Sequence, residues 1–162
     1  MPHIKDQYAK GDWVTYRPGI KILDCTVRDG GLMNDHTFDD GFIRAVYDTC
    51  IAAGVDYMEL GYKADKAIYS PDKYGPWKFT NEEDIRRVVD DNPSDLKLCV
   101  MADAERCDYH TDILPSEDSV LDCIRVACYI HQIPLALEMV KDAHDKGYET
   151  TLNLMAVSVV QD

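Results

Sequence analysis

Five short apolar runs, separated by segments with helical periodicity, most constrain how this chain of 162 residues can fold. The runs are apolar at consecutive positions rather than at every second position. That pattern is typical of strands that are buried on both faces of a parallel sheet. The sequence therefore predicts an α/β fold in which parallel strands are covered by helices. The runs span residues 20–25, 55–60, 96–102, 124–130 and 150–160.

Two longer segments between the runs predict helices, because their apolar residues recur at intervals of three and four. The first spans residues 38–53 and is followed by Gly54, and the second spans 133–146 and is followed by Gly147. Glycine is the residue that most often follows the end of a helix. The residues expected to face inward are Phe42, Ala45, Val46, Cys50 and Ala53 in the first helix, and Leu137, Met139, Val140 and Ala143 in the second.

Shorter helical stretches are predicted over residues 82–90 and 116–123, which makes the order of elements βαβαβαβαβ. Two architectures have this order. One is an open, doubly wound sheet, and the other is part of a (β/α)₈ barrel, which typically needs about 250 residues. The length of the chain by itself favours the open sheet.

The chain has no glycine pattern typical of a nucleotide site. GxGxxG does not follow the first run, and there is no Walker A sequence. A dinucleotide site is therefore not supported. Gly30-Gly31 is the only candidate for a phosphate-binding turn, so an open-sheet phosphate or nucleotide binder remains a weaker alternative.

Charge and composition exclude other classes of protein. Thirty acidic residues against seventeen basic ones give a net charge of −13, whereas nucleic-acid and anionic-membrane binders need a basic face. No apolar run reaches the length of a membrane span, and the first ten residues lack a signal-peptide core. None of the six cysteines forms a CxxC pair, so reduced, buried thiols are expected. These features predict a cytoplasmic protein that binds neither nucleic acid nor membrane.

Polar residues gather where the predicted strands end. The carboxyl ends of parallel strands meet at one edge of a sheet or one face of a barrel, where active sites form. A packed core would not need polar side chains at these positions. They are Arg28, Asp29, Glu59, Asp103, His131 and Ser158.

Arg28 and Asp29, just after the first run, form the most informative pair. A carboxylate such as Asp29 is a hard oxygen ligand that suits Mg²⁺ or Mn²⁺. The guanidinium of Arg28 can hold a carbonyl or enolate oxygen as negative charge develops there. The simpler alternative is a salt-bridged turn in which Gly30 and Gly31 allow tight geometry.

The segment 23–31, Leu-Asp-Cys-Thr-Val-Arg-Asp-Gly-Gly, resembles the signature of the DRE-TIM metallolyases. The segments 69–79 and 152–158 look like those of the aldolase catalytic domains related to 4-hydroxy-2-oxovalerate aldolase. Members of this superfamily are TIM barrels that make or break a carbon–carbon bond beside a carbonyl group with a divalent metal ion. The resemblance extends from about residue 20 to residue 160.

The resemblance reverses the argument from length. It implies a lead-in over residues 1–19, followed over 20–162 by about the first five strands and four helices of a (β/α)₈ barrel. It also implies a lyase or aldolase that acts on a 2-oxo acid or a related small carbonyl compound. In that enzyme Arg28 stabilises the enolate, and Asp29 ligates Mn²⁺ or Mg²⁺.

The chain departs from the family pattern in its histidines. The family's other metal ligands are a His-x-His pair beyond the fifth strand, and no two histidines here are separated by one residue. We therefore expect a fragment that is inactive alone. The alternative is a barrel remnant that acts as an interaction or regulatory module. Where oxovalerate aldolases have a catalytic histidine, this chain has Leu32; His36 is a candidate substitute for that base, or else an ordinary surface histidine.

The remaining candidates depend on their predicted positions. Glu59 is expected either to hydrogen-bond Arg28 and orient it, or to be an interior carboxylate satisfied by another neighbour. Asp103 and Ser158 are candidates for substrate contacts, although Asp103 fits a helix cap equally well, and His131 is a weaker candidate for a ligand. The long connection after the second run is expected to cover the site or to pack as an outer loop, through Tyr62, Lys63, Tyr74 and Trp77.

A sheet of five barrel strands has two open edges. Unpaired edge strands associate with other chains. We therefore expect either a homo-oligomer or association with the missing C-terminal half of a barrel.

Overall fold

The computed structural model describes residues 17–159, and these residues form one five-stranded parallel sheet with helices packed against it. The predicted lead-in over 1–19 lies outside the described residues except for 17–19. The strands are β1 (Leu23–Asp24), β2 (Tyr57–Tyr62), β3 (Lys97–Asp103), β4 (Cys123–Cys128) and β5 (Glu149–Leu154).

The strands lie side by side in their order along the chain, β1-β2-β3-β4-β5, and every neighbouring pair is parallel. An open, doubly wound sheet reverses direction at a switch point, whereas a barrel wall adds each new strand on the same side. This order contradicts the open-sheet alternative and agrees with a partial barrel. Five strands form only part of the wall of an eight-stranded barrel.

Side-chain hydrogen bonds across the sheet show that it is curled. The Tyr57 hydroxyl, on β2, donates to Glu149 Oε1, on β5, at 2.8 Å, and Lys97 Nζ, on β3, donates to Glu149 Oε2 at 2.7 Å. In a flat sheet the backbones of β2 and β5 would be about 14 Å apart, because adjacent strands are separated by about 4.8 Å. Tyr57 reaches Glu149 because the sheet curves, and both side chains lie on its concave face.

The helices connect successive strands. They are α1 (Thr26–Gly30), α2 (Asp40–Ala53), α3 (Glu82–Val89), α4 (Tyr109–Asp112) and α5 (Ile133–Asp145), with 3₁₀ turns at Gly31–Met33, Pro76–Lys78, Ser116–Asp118, Ile130–Gln132 and Val157–Val159. The residues after β1, for which a turn was one alternative, form α1, and α4 lies where no helix was predicted. The helical stretch predicted over 116–123 is a single 3₁₀ turn.

The main core lies between the convex face of the sheet and α2, α3 and α5. The sequence correctly located α2 and its end, since Gly54 has a left-handed backbone with φ 68°. The predicted apolar stripe of α2 is only partly correct, since Cys50 is buried and Val46 packs against the core as expected. Ile43 and Tyr47 are also buried, whereas Phe42 is 41% exposed. Phe42 instead stacks on Phe38, with ring centroids 5.1 Å apart.

The apolar stripe of α5 also differs from the prediction. Met139 and Ala143 are buried as expected, but Leu137 is 54% exposed and Ala136 is buried in its place. A helix carries more apolar residues than one stripe needs, so periodicity locates the stripe only to within a residue.

All six cysteines are free; five are buried and Cys25 is half-buried, as the sequence predicted. Among the residues that the structure describes, no helix is long and apolar enough to cross a membrane.

Candidate active site

The carboxylate of Glu59 lies between two arginines on the concave side of the sheet. Glu59, on β2, is fully buried. It accepts a hydrogen bond from Arg28 Nε at Oε2 and one from Arg125 Nη1 at Oε1, each at 2.7 Å. Arg28 comes from α1 and Arg125 from β4. These three residues, called the Glu59 cluster below, therefore connect α1, β2 and β4.

The Glu59 cluster is electrostatically coupled. A buried carboxylate is costly unless it is paired and hydrogen-bonded, and both oxygens of Glu59 have a charged donor. Burial lowers the pKa of Arg28, but the hydrogen bond to Glu59 and its charge more than offset this and raise that pKa above its usual value. Arg28 therefore stays charged, and its guanidinium is held in a defined orientation.

Asp29 follows Arg28 on α1 and is exposed, and its carboxylate accepts a hydrogen bond from Arg28 Nη1. Within residues 17–159 there is no group of three or more His, Cys, Asp or Glu side chains arranged to hold a metal ion. Asp29 is thus a single candidate ligand, and the described residues do not form a complete metal site by themselves.

His36 lies in the interior rather than on the surface. Its side chain is 2% exposed and meets the ring of Tyr62 edge-on, with centroids 5.3 Å apart. No described residue hydrogen-bonds its Nδ1. Burial, reinforced by the charges of Lys78 and Arg28 and opposed by Asp35, lowers the pKa of His36 to about 4. The surface-histidine alternative is wrong, and the imidazole is neutral at pH 7.

Gly31 leaves the space that His36 occupies. A Cβ on Gly31 would lie 2.2 Å from His36 Nδ1, far inside van der Waals contact. The backbone of Gly31 is right-handed, with φ −58°, so the glycine is needed for space rather than for an unusual conformation. The second glycine of the Arg-Asp-Gly-Gly sequence therefore positions a buried imidazole beside the arginine.

The connection after β2 is packed into the structure. Tyr62, Lys63 and Trp77 are buried, and Tyr74 is half-buried. A Cβ on Gly61 would lie 2.0 Å from the carbonyl oxygen of Trp77, so the two backbones are in close contact. These side chains are packed against the rest of the structure, as the packed-loop alternative predicted, and Trp77 lies in the main core.

Asp103 ends β3 and is half-buried. Burial raises its pKa, and the positive charges of Lys78, Arg106 and Arg28 act against this rise. The structure therefore places Asp103 near three cations, of which it shares only Arg28 with Glu59.

Two candidates differ from their predicted setting. Ser158 was expected within the fifth strand, but β5 ends at Leu154 and Ser158 is exposed in the following 3₁₀ turn. His131 is exposed in the turn after β4, where its ring stacks on Tyr129 at 6.0 Å. Among the described residues, no hydrogen bond, ion pair or ring contact joins either of them to Arg28, Glu59 or Arg125.

Sequence reasoning missed two cations of the site. Arg125 interrupts an apolar run, and a charged residue in a buried strand needs a partner, so its position was a usable signal. Lys78 offered none, because it lies in a long polar connection and becomes buried only through packing.

Comparison with known proteins identifies relatives that are longer than this chain. No protein-family model matches. The chain is 30% identical over 143 residues to the oxaloacetate decarboxylase of Mycobacterium tuberculosis, which covers 87% of the chain and 40% of that relative. It is 24% identical over 139 residues to 4-hydroxy-2-oxovalerate aldolase 6 of Rhodococcus jostii, covering 86% and 38%. The chain therefore spans about two-fifths of the length of these relatives.

Among solved structures, the chain is similar to the N-terminal domain of a Bacteroides vulgatus protein named as an aldolase. The TM-score is 0.70 and the identity 25%, over 86% of this chain and 46% of that one.

Proposed function

Because the chain belongs to the DRE-TIM aldolase-like family, we propose that it forms the oxyanion-binding part of a lyase that acts on 2-oxo acids. The relatives are named as a decarboxylase and as aldolases. Both reactions break a carbon–carbon bond next to a carbonyl group, and both leave the electron pair as an enolate. Since the relatives are enzymes, the alternative of a non-catalytic module is not favoured.

The observation that carries the proposal is the fixed guanidinium of Arg28. Arginine has five N–H donors, and Glu59 and Asp29 accept from two of them. A donor that is held in place before the reaction stabilises developing negative charge without reorganisation. In the proposed reaction Arg28 binds the 2-oxo oxygen and stabilises it as the enolate forms.

The other described residues support this step. Glu59 positions Arg28, and Arg125 holds the second oxygen of Glu59 so that the carboxylate does not rotate away. Asp103 is proposed to contact substrate. His36 remains a proposed base; its neutral imidazole has a free lone pair at pH 7, although its lowered pKa makes it a weak one.

A divalent metal would supply Lewis-acid stabilisation of the same oxygen. Asp29 is the only described residue proposed to ligate it, and we propose that further ligands lie outside the described residues. We also propose that turnover needs more of the barrel than these residues provide.

Binding of oxalate, a planar analogue of the pyruvate enolate, tests the proposal without requiring turnover. We expect oxalate to bind the purified chain, and Arg28→Gln to weaken binding by about 10-fold or more because a charged donor is lost. Isothermal titration calorimetry in the presence of Mn²⁺ gives both dissociation constants.

Arg44→Gln is the matched control, since Arg44 is a half-exposed arginine on α2 that pairs with Asp48. It should leave oxalate binding unchanged. Absence of oxalate binding in the unmodified chain, or equal binding by Arg28→Gln and the unmodified chain, would contradict the proposed function.

A further inference from the structure

A second buried cation, Lys78, lies beside the same tyrosine ring as Arg28 and has no part in the proposed enolate step. Lys78 is 6% exposed. Its Nζ is 4.2 Å from the ring centroid of Tyr62 and 4.2 Å from that of Tyr69. The guanidinium carbon of Arg28 is 5.9 Å from the Tyr62 centroid. One ring therefore borders both cations.

Backbone contacts hold the segment that carries Lys78 against β2. The carbonyl oxygen of Trp77 is in close contact with Gly61 on β2. The hydroxyl of Thr80, a residue with φ 41°, donates a hydrogen bond to the same oxygen at 3.1 Å. Lys63 Nζ donates to the carbonyl oxygen of Thr80 at 2.7 Å. These contacts hold the backbone on both sides of Lys78, and the rings of Tyr62 and Tyr69 border its ammonium.

The ammonium of Lys78 lacks a carboxylate partner. Among residues 17–159, no Asp or Glu oxygen lies within ion-pair distance of its Nζ. Contacts with aromatic faces offset only part of the cost of burying a charge. Burial lowers the pKa of Lys78, and Asp103 is the group that opposes this. A buried ammonium without a carboxylate partner therefore favours an additional anionic group beside it.

The surroundings of Lys78 carry excess positive charge, although the whole chain has a net charge of −13. Arg106 Nη1 donates to the hydroxyl of Tyr69 at 3.3 Å, which places a third cation at the far tyrosine. Of the two nearby buried or half-buried carboxylates, Glu59 is already shared by Arg28 and Arg125. Asp103 is left to face Lys78, Arg106 and Arg28.

Resting on the proposed function, we propose that Lys78 binds the distal carboxylate of a substrate whose 2-oxo group lies at Arg28. The substrate class is then a short 2-oxo dicarboxylic acid. The guanidinium carbon of Arg28 and Nζ of Lys78 border the single ring of Tyr62, which limits their separation to about 10 Å or less. A four-carbon diacid that is hydrogen-bonded at both ends can bridge a span of that size. A monocarboxylic 2-oxo acid would leave Lys78 without an anion.

A matched pair of ligands tests this. Oxaloacetate and 2-oxobutyrate have the same four-carbon chain and differ only in a terminal carboxylate or methyl group. We expect the unmodified chain to bind oxaloacetate about 10-fold more tightly or better, because a charge-assisted hydrogen bond is added. Calorimetric titration with fresh solutions measures both dissociation constants.

Lys78→Met removes the charge and keeps an unbranched, flexible side chain that packs against aromatic rings. It should weaken oxaloacetate binding to the level of 2-oxobutyrate and leave 2-oxobutyrate unchanged. Lys73→Met is the control, since Lys73 is exposed and lies 4.9 Å from the Tyr74 ring on the same connection. It should preserve the preference for the diacid. Lys78→Arg, which keeps the charge, should retain much of it.

The proposal is overturned if the unmodified chain binds both acids equally, a result that needs no variant. Equal weakening of both acids by Lys78→Met would also overturn it, because that result indicates a structural role. Displacement of both acids equally by inorganic phosphate would indicate a general anion patch and would overturn it as well. Failure of the proposed function is distinct: neither acid would bind, or Arg28→Gln would leave both unaffected.

Discussion

At the scale of single residues, the environment of each ionisable group determines its charge state. Glu59 and His36 are both buried, yet one is charged and the other is neutral. Glu59 is stabilised as a carboxylate by two guanidiniums, whereas His36 has no charged partner in contact and remains neutral. The same part of the molecule therefore contains a fixed anion and a buried neutral imidazole.

The lowered pKa of His36 predicts how stability changes with pH. An unfolded histidine has a pKa near 6.5, and folding lowers that of His36 to about 4. The stabilisation is therefore fully present above pH 6.5 and is lost as the pH falls towards 4, because the unfolded chain binds the proton more readily. The loss should reach about 2–3 kcal/mol of unfolding free energy near pH 4.

Urea denaturation between pH 4 and pH 8 measures this dependence. His36→Gln should flatten the curve over that interval, while His144→Gln, at an exposed position on α5, should leave it unchanged. An unaltered slope in His36→Gln would contradict the assignment of the pH dependence to His36.

At the scale of secondary-structure elements, packing determines which face of each helix is buried. The apolar residues of α2 cover more than one stripe, and the structure buries the stripe that contains Ile43 and Tyr47. The polar ends are more strictly encoded: Asp39 accepts a hydrogen bond from the backbone N–H of Phe42 at 2.8 Å, and Gly54 closes the helix.

The position of the α2 stripe predicts unequal costs for two neighbouring substitutions. Ile43→Ala should lower the unfolding free energy by about 2–4 kcal/mol, because it leaves a cavity in the core. Phe42→Ala should cost less than about 1.5 kcal/mol, because Phe42 is partly exposed and loses mainly its stacking on Phe38. Chemical denaturation of both variants gives the comparison. Equal costs, or a larger cost for Phe42→Ala, would contradict the burial of Ile43 rather than Phe42 in the core.

At the scale of the whole molecule, the curled sheet has two strands with a neighbour on one side only. Within the described residues, β1 pairs only with β2, and β5 pairs only with β4. β5 is also poorly covered: Leu152 is 40% exposed. Open edges and exposed apolar side chains favour association with another chain.

We expect the purified chain to self-associate at micromolar concentrations, or to bind the remaining part of a barrel when that is supplied. Sedimentation equilibrium should give an average mass above that of one chain. Leu152→Lys, on β5, should lower that mass, while Leu137→Lys, at an exposed position on α5, should not. A monomer at all concentrations, with or without the added part, would contradict the expectation.

The sequence by itself determined the five strands and their order along the chain, the helices α2, α3 and α5, the C-terminal end of α2, and the presence of an arginine–aspartate pair after β1. These depend on residues within a few positions of one another, where side-chain periodicity and capping act. The hydrogen bond from Arg28 to Glu59 was one of two alternatives that the sequence left open, and the structure shows it.

Only the tertiary structure decided the strand order in space, the curl of the sheet and the charges that meet within it. Arg125 lies 66 residues from Glu59, and Lys78 reaches its two tyrosines through a connection whose course no local pattern specifies. His36 is buried because Gly31 leaves room for it. Burial and charge pairing depend on contacts between distant segments, and those contacts exist only once the chain has packed.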